Sequence, residues 1–128
     1  MSPFKSLVFV SVLTLGAAAG TARAADGDAE AGQKAFSVCK ACHTVEAGGP
    51  NRVGPNLHGV VGRAAGALDG FRYSDAIKGA GFAWDEATLD AYLKDPKGAV
   101  PGNKMAFAGV KDDRKRADLV AYLKSQSR

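Results

Sequence analysis

Five residues, Cys39-Lys40-Ala41-Cys42-His43, constrain this chain more than any others. Two cysteines separated by two residues, with a histidine directly after, are the pattern for covalent haem attachment. Two thiols on one short turn can add to the two vinyl groups of a haem as thioethers. The next residue, His43, is then carried under the porphyrin, where its imidazole can bind iron as proximal ligand. A dithiol redox centre would need the cysteines but not the histidine. A zinc site would need four ligands, and the other histidine of the chain, His58, completes the set Cys39, Cys42, His43 and His58. Ligation from the adjacent Cys42 and His43 would be cramped, so haem attachment is the favoured reading.

The N-terminus bears on the compartment. Lys5 precedes an apolar run from Leu7 to Ala19, and Ala22-Arg23-Ala24 offers a small-x-small cleavage site. Residues 1–24 therefore read as a cleaved secretory signal peptide, with one domain expected over 25–128. The run is short for a membrane span and dilutes into Ala and Gly, and nothing later is long or apolar enough to insert. In an exported chain two cysteines normally imply a disulfide. A bridge across two residues closes too small a loop to stabilise much.

About a hundred residues make a thin core, which a buried macrocycle would thicken. Of 17 Lys and Arg, Lys5 and Arg23 fall in the leader, so fifteen face thirteen Asp and Glu, a net charge of +2. That is too little for general nucleic-acid binding.

Helix signals punctuate the chain. Asp28 caps a helix from about Ala29 into the cysteine turn, with Gly32 and Phe36 on one face. Residues 47–63 are turn chemistry, rich in Gly, Pro and Asn, and a haem edge is what would pin so long a loop. Ser74 caps a short helix from Asp75 to Gly79. Asp85 opens another over Glu86 to Lys94, with Leu89, Tyr92 and Leu93 inward, and Asp95-Pro96 ends it. Asp112 and Asp113 start the last helix, whose stripe is Ala117, Leu119, Val120 and Leu123. Between these, Pro101 to Phe107 is a loop carrying Met105, the one methionine beyond the leader. A thioether in a Pro/Gly loop reads better as a sixth iron ligand than as core packing. His58 reads as structural. The expected class is all-α: three main helices, a short one, and long loops around one covalently bound haem.

These stretches together resemble a class I c-type cytochrome, of the small soluble cytochrome c and c2 kind. The resemblance rests on residues 39–43, Gly-Pro-Asn-Leu-His-Gly at 54–59, Phe71-Arg-Tyr-Ser-Asp-Ala, Trp84, residues 101–109, and Arg116-Ala-Asp-Leu-Val-Ala-Tyr-Leu-Lys. It implies haem c held by Cys39 and Cys42, with His43 and Met105 as axial ligands. It also implies a Pro55 carbonyl that accepts the imidazole N–H and a Tyr92 hydroxyl near the methionine sulfur. Tyr73 and Trp84 would meet the haem propionates, with Arg63 close by. Gly32 and Phe36 would pack on Leu119 and Tyr122.

The implied function is single-electron transfer in a bacterial periplasm, by a monomer and not an enzyme. Redox complexes would dock at the haem edge through Lys34, Arg52, Lys97, Lys104 and Lys111. The rival is a haem enzyme or gas sensor with an open sixth site. Two positions depart from mitochondrial members: Ile77 stands where Asn is usual, and Val38 replaces a common lysine.

Overall fold

The computed structural model describes residues 26–128. The expected leader and its cleavage site therefore lie outside the described residues. In chain order come α1 (Ala29–Ala35), a 3-10 turn (Phe36–Ala41), α2 (Asp75–Lys78), α3 (Glu86–Lys94), α4 (Pro96–Ala99) and α5 (Asp113–Ser125). The all-α expectation holds, with α1, α3 and α5 as the main helices.

Each helix starts where a short polar side chain can satisfy its free amides. Asp28 Oδ1 accepts from Glu30 N at 2.8 Å and Ala31 N at 3.3 Å, and Ser74 Oγ accepts from Ile77 N at 3.2 Å. Asp85 and Thr88 bond reciprocally, side chain to backbone, at 2.8 and 2.9 Å. Asp112 accepts from Lys115 N at 2.7 Å.

The sequence reading missed α4. Asp95 is extended, as a residue before proline should be, and so ends α3. Its side chain then caps a new helix whose first residue is Pro96, a position that needs no amide hydrogen.

The core is built where α1 crosses α5. Phe36 and Leu119 are each 1% exposed, and the Phe36 and Tyr122 rings meet at 5.4 Å. Gly32 lies so close to α5 that an added Cβ would collide with the Asp118 carbonyl. Its small size therefore sets the crossing, which explains a glycine inside a helix. Asp118, buried in α5, accepts from Asp28 N at 2.7 Å and so ties the start of α1 to its partner.

A second junction is charged. Arg116 is buried, with Asp90 of α3 at 2.7 Å, Asp113 at 2.8 Å and the Val110 carbonyl at 3.0 Å. A buried guanidinium is tolerable only when its donors are met, and here those bonds hold α3 to α5. Ala117, expected in the stripe, is only half-buried.

Residues 42–74 form no helix, as expected, and they are pinned by their own side chains. Asn56 donates to Thr44 Oγ1 at 2.7 Å and to the Glu46 carbonyl at 3.0 Å, while its amide donates to Asn51 Oδ1 at 2.9 Å. Residues 62–65 pair with 82–84 through Gly62 N to Trp84 O at 2.7 Å and Trp84 N to Arg63 O at 2.8 Å. The chain end closes over this loop, with Gly59 N donating to Gln126 O at 3.2 Å. Among the described residues no helix is long and apolar enough to cross a membrane.

Candidate functional site

The cysteine motif sits where α1 tightens. The amides of Cys42 and His43 both donate to the Cys39 carbonyl, at 3.1 and 2.9 Å. This tight turn brings Cys39, Cys42 and His43 to the wall of one cavity of about 340 Å³. Both thiols are free and half-buried. Burial, with Cys42 second, pushes the Cys39 thiol up from its ordinary range.

His43 is fixed from behind. Its Nδ1–H donates to the Pro55 carbonyl at 2.7 Å, which leaves Nε2 as the nitrogen with a free lone pair. Burial lowers the imidazole's pKa, against a smaller opposing pull from the Pro55 bond. The neutral, ligating ring is thereby favoured. Gly54 is pressed against this ring, and any Cβ there would strike it. The Gly-Pro pair thus does two jobs, close approach and orientation.

Met105 lines the same cavity. Its loop is held by Asn103, a buried residue that the sequence reading did not single out. Asn103 Nδ2 donates to the carbonyls of Pro96 at 2.8 Å and Val100 at 2.9 Å, and its Oδ1 accepts from Met105 N at 2.9 Å. The Tyr92 hydroxyl donates towards Met105 Sδ at 4.0 Å. Burial pushes the Tyr92 phenol up to about 12. Trp84 packs edge-on against Tyr92 at 4.9 Å and against Phe82 at 4.8 Å.

All nine residues expected at the site line this cavity: Cys39, Cys42, His43, Pro55, Arg63, Tyr73, Trp84, Tyr92 and Met105. Leu57, Val60, Ile77, Leu89 and Leu93 give it an apolar floor. Among the described residues no carboxylate lines it, whereas Arg63, Arg72 and Lys104 do. Arg63 donates to the carbonyls of Asn56 at 3.0 Å and His58 at 3.5 Å, but its buried Nε has no partner among the described residues. Burial lowers the guanidinium's pKa, and the nearby Tyr73 phenol partly offsets this.

A flat apolar group with acidic substituents fits such a lining: two thiols, an imidazole and a thioether for attachment and ligation, and unneutralised cations for the acids. A smaller hollow of about 240 Å³, lined by Lys40, Glu46 and Arg52 among others, does not extend to Met105.

The zinc alternative finds no support, because no three His, Cys, Asp or Glu converge on a metal position among the described residues. His58 is instead built into the loop, its amide donating to Asn56 Oδ1 at 3.1 Å.

The five cations expected at the docking face are all exposed, but they are not equivalent. Lys34 is in α1, Lys97 in α4, and Lys104 lines the cavity. Arg52 Nη1 donates to the Lys40 carbonyl at 3.3 Å, and Lys111 Nζ donates to the Lys94 carbonyl at 2.6 Å, at the end of α3.

An all-α domain that gathers these groups around one apolar cavity defines a haem-carrying protein of the small c type. The Cytochrome c family model matches residues 29–127, and the chain belongs to that family. It is 59% identical over 91 residues to cytochrome c2 iso-2 of Magnetospirillum fulvum, which covers 71% of this chain and 94% of that protein. It is 49% identical over 107 residues to cytochrome c2 of Blastochloris viridis, 84% of each chain. Among solved structures, cytochrome cH from Methylobacterium extorquens superposes with a TM-score of 0.73 at 54% identity, covering 77% of this chain and 99% of that one. Family membership brings one covalently attached haem c, and Cys39 and Cys42 occupy its attachment motif.

Proposed function

We propose that the protein is a periplasmic single-electron carrier whose haem iron is ligated by His43 and Met105. The observation that carries this reading is the convergence of both residues on one cavity, each oriented by a dedicated partner. The cytochrome c2 names of its relatives support the carrier role. When bound, the haem supplies a one-electron Fe(II)/Fe(III) couple.

The chain's own residues would do the rest. Cys39 and Cys42 anchor the macrocycle and keep it in place through both oxidation states. The Pro55 carbonyl holds the His43 tautomer, so Nε2 is always the ligating atom. Asn103 and Tyr92 would hold the thioether in register, so that Met105 could fill the sixth position against small ligands, which favours a carrier over an enzyme or gas sensor. Tyr73 and Trp84 would donate to the two propionates, with Arg63 close by to offset their charge. The apolar floor excludes water, so little has to reorganise when one electron arrives or leaves.

Lys34, Arg52, Lys97, Lys104 and Lys111 would steer an acidic redox partner to the open edge. Residues 1–24 would direct export and be removed, and the mature protein would work as a monomer. Mass spectrometry of protein secreted by a bacterium that attaches haem should find a chain beginning at Ala25 and heavier by one haem. Redox titration should fit a single one-electron step. A mass without added haem, or a titration needing two electrons, would overturn the reading.

A further inference from the structure

The bond that fixes His43 from behind ends on a peptide group that is itself held. The Pro55 carbonyl accepts from His43 Nδ1 at 2.7 Å, and the amide of that same peptide belongs to Asn56. Asn56 N donates to Asn51 Oδ1 at 2.9 Å. Imidazole, peptide and carboxamide therefore form one unbroken chain of hydrogen bonds. Asn51 is exposed and stands outside the wall of the cavity. Its aim is set from both sides. Thr44 Oγ1 donates to the Pro50 carbonyl at 2.8 Å, just before Asn51, and Arg52 N donates to the Gly54 carbonyl at 2.9 Å, just after it. Asn56 is buried, and its side-chain amide hydrogens are taken by Thr44 Oγ1 at 2.7 Å and the Glu46 carbonyl at 3.0 Å. The backbone amide is the donor of Asn56 that remains for Asn51.

Resting on the reading of His43 as iron ligand, we propose that Asn51 is a positioning residue that tunes this ligand through the Pro55–Asn56 peptide. Hydrogen bonds in a chain polarise one another, each strengthening the next by about 10–30%. Asn51 Oδ1 draws on the Asn56 N–H, which makes the Pro55 oxygen a stronger acceptor for the imidazole N–H. A ring held more strongly at Nδ1–H is a more basic ligand at Nε2. A more basic ligand favours Fe(III) over Fe(II). Asn51 therefore holds the midpoint potential down, from outside the cavity.

The plain alternative is that Asn51 only closes the loop from 51 to 56 and contributes stability alone. The two roles move different quantities. Loop closure changes the denaturation midpoint and leaves the imidazole as it is. Tuning changes the Nδ1–H bond of His43 and, with it, the balance between the two oxidation states. Any acceptor oxygen in the place of Asn51 Oδ1 should preserve the tuning, whereas a methyl group should not.

The test uses haem-loaded protein with nitrogen-15 in its histidines, of which the chain has two, His43 and His58. In Asn51→Ala the Asn56 amide keeps at best a mobile water. The Fe(III) to Fe(II) ratio at a given potential should fall about threefold, less than the roughly tenfold that a whole hydrogen bond is worth. At about 59 mV per tenfold for one electron, that raises the midpoint by about 28 mV. In the reduced protein the Nδ1–H proton signal of His43 should move upfield, as a weakened hydrogen bond requires. Asn51→Asp keeps an acceptor oxygen. It should hold the parent's potential and Nδ1–H signal in about 1 M salt, which screens its charge beyond about 3 Å. A midpoint not raised in Asn51→Ala, whatever its stability, would overturn the proposal and leave Asn51 a loop closure. So would a raised midpoint with the Nδ1–H signal unmoved, since the effect would then not pass through His43. So would Asn51→Asp rising with Asn51→Ala at high salt, since the acceptor would then not be the cause. If His43 Nε2 carries a proton in the reduced parent, the ligation reading itself fails, a result separate from any difference among variants.

Discussion

Asn103 is the residue through which the fold controls the methionine loop, so its removal is the most informative perturbation. The side chain is 5% exposed and makes three hydrogen bonds. Asn103→Ala would not orphan all three partners. The Pro96 carbonyl keeps its bond from Val100 N at 3.0 Å, and the Val100 carbonyl keeps the backbone amide of residue 103 at 3.2 Å. The Met105 amide loses its acceptor outright. An unsatisfied buried donor costs about 1–3 kcal/mol, and each lost second bond about 0.5–1 kcal/mol. The total is roughly 2–5 kcal/mol.

Most of that loss falls on the Met105 loop rather than on the α1–α5 junction. A loss of about 2 kcal/mol multiplies the open population of the loop about thirtyfold. Apparent affinity for an exogenous iron ligand scales with the population competent to bind it. Cyanide titration of oxidised Asn103→Ala should therefore show about thirtyfold tighter binding at the low end, while the far-ultraviolet helix signal at neutral pH stays that of the parent. Asn103→Asp keeps the acceptor for Met105 N and separates that bond from the two donor bonds. Cyanide affinity unchanged in Asn103→Ala, with a denaturation midpoint also unchanged, would refute the reasoning.

Other consequences are as specific. Gly32→Ala gains about 1 kcal/mol of helix propensity but drives a methyl into the Asp118 carbonyl. Overpacking of about 1–3 kcal/mol should dominate, so urea melts should show net destabilisation, and a stabilised variant would contradict the packing argument. The folded Tyr92 phenol titrates near 12, above the ordinary value of 10.0. The unfolded chain therefore releases that proton first, and this contribution to stability is complete below pH 10 and lost as pH rises towards 12. Tyr92→Phe should flatten the fall of stability across that window, and an identical slope in parent and variant would count against burial of the phenol. Replacing both Cys39 and Cys42 by Ala should give a chain that is mostly unfolded by circular dichroism, because the cavity they border is the centre of the core. A cooperative melt with full helix content would show that the haem is dispensable for folding.

Some of this was legible in the sequence because it is local. The Cys39 to His43 motif works through neighbours on one turn, and the caps at Asp28, Ser74, Asp85 and Asp112 act within three residues. Other features depend on parts of the chain that meet only after folding. Arg116 looks like an exposed lysine-rich helix residue until Asp90, twenty-six positions earlier, is brought beside it. The loop from 47 to 63 was expected to rest on a haem edge; Pro55, Leu57, Val60 and Arg63 line the cavity, and the hydrogen bonds among Thr44, Asn51 and Asn56 add a brace that no local rule foretells. At Asp95-Pro96 a sound rule for ending a helix concealed the start of the next. Lys111 was counted among docking cations for its place near Met105, and it also closes α3 by binding the Lys94 carbonyl.

The account stands on Met105 as the sixth ligand, and one measurement tests this directly. The sequence has two methionines, Met1 and Met105, and only Met105 lies beyond the proposed leader. Mature, reduced protein labelled with carbon-13 at the methionine methyl should therefore give a single resonance. If the Met105 sulfur ligates the iron, the methyl on that sulfur would sit over the porphyrin face, and the ring current would drive its proton signal far upfield. That shifted peak should vanish in Met105→Leu. A labelled methyl at the ordinary position of a packed methionine, in fully haem-loaded reduced protein, would contradict the assignment.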